Sequence, residues 1–201
     1  NWDFTCAGGE GYQRGEAWFE EFIMAYENTF GAKPPAYAWS IDAYPLDWTR
    51  IPNSGLHTSI VTEQIEGMRQ YLDTVPEYRE TPIWIPEIGA HVGYGSWRWD
   101  PLLVRIVPVG PYRWSEMSEY LIGTLDWLQE NAPSLNIEKW FWHTTWRDLV
   151  NTGSDGYMGL IFFDGPSQGA SLNCLGEIYR ARSLAQGRLK CDVEGGTVID
   201  N

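Results

Sequence analysis

Apolar side chains recur at helical spacing in four stretches of the chain, and short runs rich in β-branched and aromatic residues lie between them. The first stretch predicts a helix over 15–30, with Trp18, Phe22, Ala25 and Tyr26 on one face and Gly31 placed as its C-terminal stop. Beyond Lys33, Pro34 and Pro35, residues 37–44 read as a strand. A second helix over 58–73 carries Val61, Ile65, Met68 and Leu72 at helical spacing, and a Pro-containing loop feeds a strand over 82–88. A third helix over 115–130 presents Met117, Leu121, Leu125 and Leu128, and a strand over 138–145 follows Ala132 and Pro133. A strand over 159–164 and a helix over 172–185 complete the pattern. Residues 89–114 read as a long loop, and the tail 191–201 as irregular.

Helices alternating with strands predict repeated βα units around a parallel sheet. The count is three units, or slightly more if Trp2 to Thr5 is the tip of an earlier strand. A complete (β/α)8 barrel uses eight units in about 250 residues. Two architectures therefore stand open: a small open α/β sheet, or the C-terminal part of a barrel. At 201 residues nothing demands two domains, so one unit over 1–186 with a tail at 187–201 is expected.

Charge narrows the partners. Asp and Glu number 27 against 14 Lys and Arg, a net charge of −13, so polyanions are repelled and neither nucleic acid nor an acidic membrane surface is expected. A neutral sugar is untouched by that argument. The chain holds 12 Trp and 11 Tyr, many beside Gly, Pro, Asp or Arg; indole rings suit flat sugar faces, although core packing also consumes such residues. Cys6, Cys174 and Cys191 form no CxxC pair and no His stands at metal spacing, so neither cofactor nor metal is expected; one disulfide, for instance Cys174 to Cys191, is open. No charged-then-apolar leader and no apolar run approaching about 18 residues is visible. A leader removed with whatever preceded Asn1 fits an extracellular or cell-surface protein.

In a βα architecture functional side chains collect at the C-terminal ends of the strands. Asp42 and Tyr44 end the first strand, on the side of Ser40; Glu87 ends the second, on the side of Ile83 and Ile85; His143, Thr144, Thr145 and Trp146 end the third. A carboxylate closing an apolar strand needs a partner or a solvated cleft, because an unpaired buried charge costs about 3–5 kcal/mol. Glu87 is thus a working carboxylate, or else it caps the next turn or pairs with Arg98 or Arg147.

Pro82-Ile83-Trp84-Ile85-Pro86-Glu87-Ile88-Gly89 resembles the strand-seven signature of the large clan of retaining (β/α)8-barrel (TIM-barrel) glycoside hydrolases, in which an apolar strand ends in the nucleophilic Glu. Ser40-Ile41-Asp42-Ala43-Tyr44-Pro45 is similar to their strand-six motif, usually Ser-x-His-x-Tyr, and the order agrees. The segment 159–184, with Leu175-Gly176-Glu177-Ile178-Tyr179-Arg180, is similar to their closing strand and helix, so the resemblance covers the chain to about residue 186.

The resemblance implies the C-terminal part of the barrel, strands six to eight with the end of strand five, and a missing N-terminal half. It implies hydrolysis of a neutral, β-linked polysaccharide or oligosaccharide with retention, Glu87 as nucleophile and Tyr44 as hydrogen-bond donor to its carboxylate. Retention requires a second carboxylic acid about 5 to 5.5 Å away, which the clan places after an Asn at the end of strand four. No Asn-Glu precedes the strand-six motif here, and Glu10 is the one tempting substitute.

Two departures stand out. Asp42 occupies the usual His position, and Pro86 removes a ladder donor beside the nucleophile. These departures and the absent acid leave an alternative open: a carbohydrate-binding barrel relative without catalysis. For the sugar platform the resemblance points to Trp146 and Trp142 at the end of strand eight. His91, Trp97 and Trp99 in the loop 89–114, and Trp48 after strand six, would wall the groove, with Asp42 contacting substrate.

Overall fold

A computed structural model of the chain describes residues 2, 13–45, 56–89, 97–100, 105–108, 114–143, 161–163, 170–172, 174–183, 189–191 and 198–200. In chain order the elements are α1 (Gly15–Phe30), β1 (Trp39–Ser40), α2 (Thr58–Thr74), β2 (Ile83–Ile88), β3 (Trp97–Asp100), β4 (Arg105–Pro108), α3 (Trp114–Asn131), β5 (Ile137–Trp142), β6 (Ile161–Phe163), β7 (Ala170–Leu172), α4 (Cys174–Ser183), β8 (Leu189–Cys191) and β9 (Val198–Asp200). Among the described residues no helix is long and apolar enough to cross a membrane.

The centre is a parallel sheet in the order β1-β2-β5. Ile83, Ile85 and Ile88 of β2 share one buried cluster with Val61, Ile65, Met68 and Leu72 of α2, Met117, Leu121, Leu125 and Leu128 of α3, and Leu175 and Ile178 of α4. Those stripes on α2 and α3 are the ones their spacing predicts. Each such Leu or Ile, fully buried, stabilises the fold by about 1.5–3 kcal/mol. Arg69 of α2 is buried among them, and its guanidinium donates to the carbonyls of Tyr78, Arg79 and Thr81, so the turn leading into β2 has its backbone acceptors met by a charged donor.

α1 differs from its predicted orientation. It stops at Gly31, which takes the left-handed φ of 72° and donates its N–H to the Glu27 carbonyl. Its buried face, however, is Phe19 and Ile23, with Phe19 packed edge-on against Trp39 and Tyr71. Trp18, Phe22 and Phe30 are 57 %, 37 % and 66 % exposed. The helix carries apolar residues at both 18–19 and 22–23, so spacing alone allows two faces one residue apart, and the aromatic rings of α2 and β1 select between them. The outward rings form a ladder: Trp18 stacks on Phe22 at 5.7 Å, Phe22 meets Tyr26, and Tyr26 meets Phe30.

An exposed aromatic stripe beside an edge strand favours association. The chain by itself is expected to sediment as a concentration-dependent mixture, and Trp18→Glu with Phe30→Lys to shift it towards monomer. A monomeric, cooperatively melting wild type at micromolar concentration would contradict this.

Three further expectations are corrected. The predicted loop 89–114 contains an antiparallel hairpin, β3 with β4, and the tail expected to be irregular contains another, β8 with β9. β8 lies against α3 and α4. Both hairpins use strands of three or four residues, too short for a period-two pattern to register, although Trp, Ile and Val favour extended backbone. The strand expected over 37–44 is regular only at Trp39–Ser40, with an isolated bridge at Ala43.

Candidate active site

The three strand ends are tied into one row. Ala43 bridges Ile88 and donates to the Glu87 carbonyl at 2.8 Å; Ile88 pairs with Trp142 and accepts the His143 N–H at 2.8 Å. Asp42, Tyr44, Glu87 and His143 flank that row, so all four stand at the C-terminal end of the sheet. Strict alternation would put Glu87 beside Ile83 and Ile85. Instead the register shifts between Ile85 and Ile88, the span that contains Pro86, and Ile88 is buried where an outward residue was expected. Pro86 has no N–H for the ladder, so the irregularity falls where pairing is weakest. Glu87 thereby leaves the apolar row and is half-buried.

Tyr44 Oη donates to Glu87 Oε2 at 2.6 Å, a short charge-assisted bond. The phenol is buried, and burial first, then the bond to Glu87, raises its pKa far above the usual tyrosine value, so it stays a donor across the working range. Tyr44 is held from behind by Gln64, a fully buried α2 residue whose Nε2 donates to the Tyr44 carbonyl and to the Ile60 carbonyl, both at 2.9 Å. Its Oε1 accepts the Trp2 N–H. Sequence reasoning missed Gln64. The available signal was a polar residue at a position that helical spacing assigns to the buried stripe with Val61, Ile65 and Met68.

Asp42 is exposed, and its pKa is raised, by desolvation first and then by the Glu87 charge. A raised carboxyl holds its proton more tightly when folded. Its favourable contribution is therefore present below the ordinary carboxylate range and lost as pH rises through the raised value. Asp42→Asn is expected to raise the melting temperature at neutral pH, by about 0.5 kcal/mol in stability for so exposed a group, with the difference vanishing below the carboxylate range. Equal melts at neutral pH would refute the assigned repulsion.

His143 and Gly89 complete the arrangement. The His143 ring meets the Tyr44 ring edge-on at 6.4 Å, and its Nδ1 is enclosed without a hydrogen-bond partner among the described residues. A Cβ on Gly89 would lie 2.4 Å from the His143 carbonyl oxygen, so glycine is what allows β2 and β5 to converge here. Tyr120 of α3 donates to the Gly89 carbonyl at 3.1 Å.

Of the residues predicted for substrate, Asp42 joins Tyr44 and Glu87. Trp142 is only 6 % exposed and packs on Tyr120 as part of the core cluster. Trp97 and Trp99 lie in β3, in the hairpin. Trp48, His91, Trp146, Glu10 and Arg147 lie outside the described residues. Cys174, at the start of α4, is disulfide-bonded. Among the described residues no group of three His, Cys, Asp or Glu could hold a metal ion. No protein-family model, curated protein or solved structure matches this chain.

Proposed function

We propose that the chain is the C-terminal part of a (β/α)8 barrel of a retaining glycoside hydrolase acting outside the cell on a neutral, β-linked saccharide, with Glu87 as nucleophile. The observation that carries this reading is the 2.6 Å bond that the buried Tyr44 donates to Glu87 at the C-terminal end of parallel strands. That bond fixes one carboxylate oxygen and leaves Oε1 for attack. In the first step Oε1 bonds to the anomeric carbon as the bond to the leaving oxygen breaks, and a second carboxylic acid gives that oxygen its proton. In the second step water, deprotonated by the same acid in its basic form, displaces Glu87 and restores the original anomeric configuration. The second acid belongs to the barrel half outside these residues.

The test is the anomer released first by the full-length protein from β-linked oligosaccharides and aryl β-glycosides, followed by proton NMR. Retention supports the reading, and inversion contradicts it. Asp42 favours a second reading, because a second negative charge beside Glu87 is a burden for a nucleophile. Calorimetric sugar binding without turnover would make the protein a non-catalytic carbohydrate-binding relative.

A further inference from the structure

We propose that His143 is a specificity-determining residue of this site, donating through Nε2 to a sugar hydroxyl that in turn donates to Asp42. The inference rests on the glycosidase reading and deepens it, by naming the pair that reads one hydroxyl beside the attacked carbon. Its geometry comes from the strand row. The His143 N–H is fixed to Ile88 one residue beyond Glu87, and the approach of Gly89 to the His143 carbonyl leaves no space for β5 to slide. The imidazole stands edge-on to Tyr44, the same ring that holds Glu87.

The two ring nitrogens are not equivalent. Nδ1 is enclosed and has no partner among the described residues. A bare acceptor in an enclosed position costs less than an unpaired N–H there, so of the two neutral tautomers the one with its proton on Nε2 is favoured. That leaves Nε2–H as a donor at the open end of the sheet. Asp42, exposed and under the electrostatic influence of both His143 and Glu87, supplies an acceptor in the same cluster. A hydroxyl offers one donor and two acceptor lone pairs, so a single hydroxyl can accept from His143 and donate to Asp42 at once. Tyr44 is committed to Glu87 and does not compete for it.

The experiment compares aryl β-glycosides with their monodeoxy analogues in the full-length protein and in His143→Gln, His143→Asn, His143→Phe and Asp42→Ala. Hydrolysis is measured with Glu87 present, and calorimetric binding in a Glu87→Gln background. Gln carries an amide nitrogen near the Nε2 position, whereas Asn reaches only as far as Nδ1. His143→Gln is therefore expected to stay near wild type. His143→Asn, His143→Phe and Asp42→Ala lose about 10- to 100-fold on the parent sugar and almost nothing on the analogue lacking one particular hydroxyl.

Equal losses on parent and deoxy sugars, or no loss at all, would overturn the proposal. Hydrolysis by Glu87→Gln at the wild-type rate would remove the nucleophile assignment, yet the hydroxyl dependence of binding would still decide the role of His143. A wild type that neither binds nor cleaves any sugar overturns both.

Discussion

Glu87→Gln is expected to reduce hydrolysis by the full-length protein by roughly 10⁴- to 10⁶-fold while leaving the fold in place, because losing a covalent nucleophile removes the step on which all others depend. Gln keeps the volume of Glu and an oxygen that can accept the Tyr44 hydroxyl, so the 2.6 Å contact loses its charge and keeps its geometry. Its melting temperature should stay close to wild type. Glu87→Ala should lose as much activity, but it opens space beside the anomeric carbon, so a small anion such as azide is expected to recover part of the rate. Tm values near wild type, together with an undiminished rate in either variant, would remove Glu87 from the chemistry.

Gly89→Ala carries the second large effect, for a different reason. Its new methyl would stand 2.4 Å from the His143 carbonyl oxygen, a contact with backbone rather than with a side chain that can swing away. β2 and β5 must separate, which puts the bond from His143 N–H to the Ile88 carbonyl at risk and moves His143 relative to Glu87. The cost is expected to be about 1–3 kcal/mol of stability, as for overpacking elsewhere, accompanied by a loss of turnover larger than the stability change explains. Gly31→Ala is the control. Nothing stands within 4 Å of its added methyl, but its φ of 72° strains an L side chain, so it should lose about 1 kcal/mol and leave activity unchanged. Chemical denaturation of both variants, with kcat measured alongside, separates the two.

α2 and α3 were legible because the apolar positions that their spacing picks out are the buried ones, so helical spacing and burial point the same way. α1 has apolar side chains on adjacent positions, and only the rings of Trp39 and Tyr71 decide that Phe19 and not Trp18 turns inward. The hairpins β3–β4 and β8–β9 escaped because short strands pair through backbone bonds that leave little trace in hydropathy.

In the site, Glu87 was legible as a carboxylate ending an apolar strand, and Tyr44 through its motif. Gln64 and the need for glycine at 89 were not, and His143 was legible only as one of the residues ending the third strand. Gln64 acts on Tyr44 across 20 positions, and the need for glycine at 89 arises from a carbonyl on another strand. Such roles are set by tertiary neighbours, and a single sequence names the residues without their partners.

The most direct test of the Glu87 assignment is covalent trapping. A 2-deoxy-2-fluoro glycoside of the sugar that the full-length protein cleaves, carrying an activated aryl leaving group, should accumulate a glycosyl-enzyme ester, because the fluorine slows both oxocarbenium-like steps and the leaving group restores only the first. Proteolysis and mass spectrometry should then place the added mass on the peptide carrying Glu87. The added mass on a different carboxylate, or complete turnover to an inverted product with no adduct, would contradict the account.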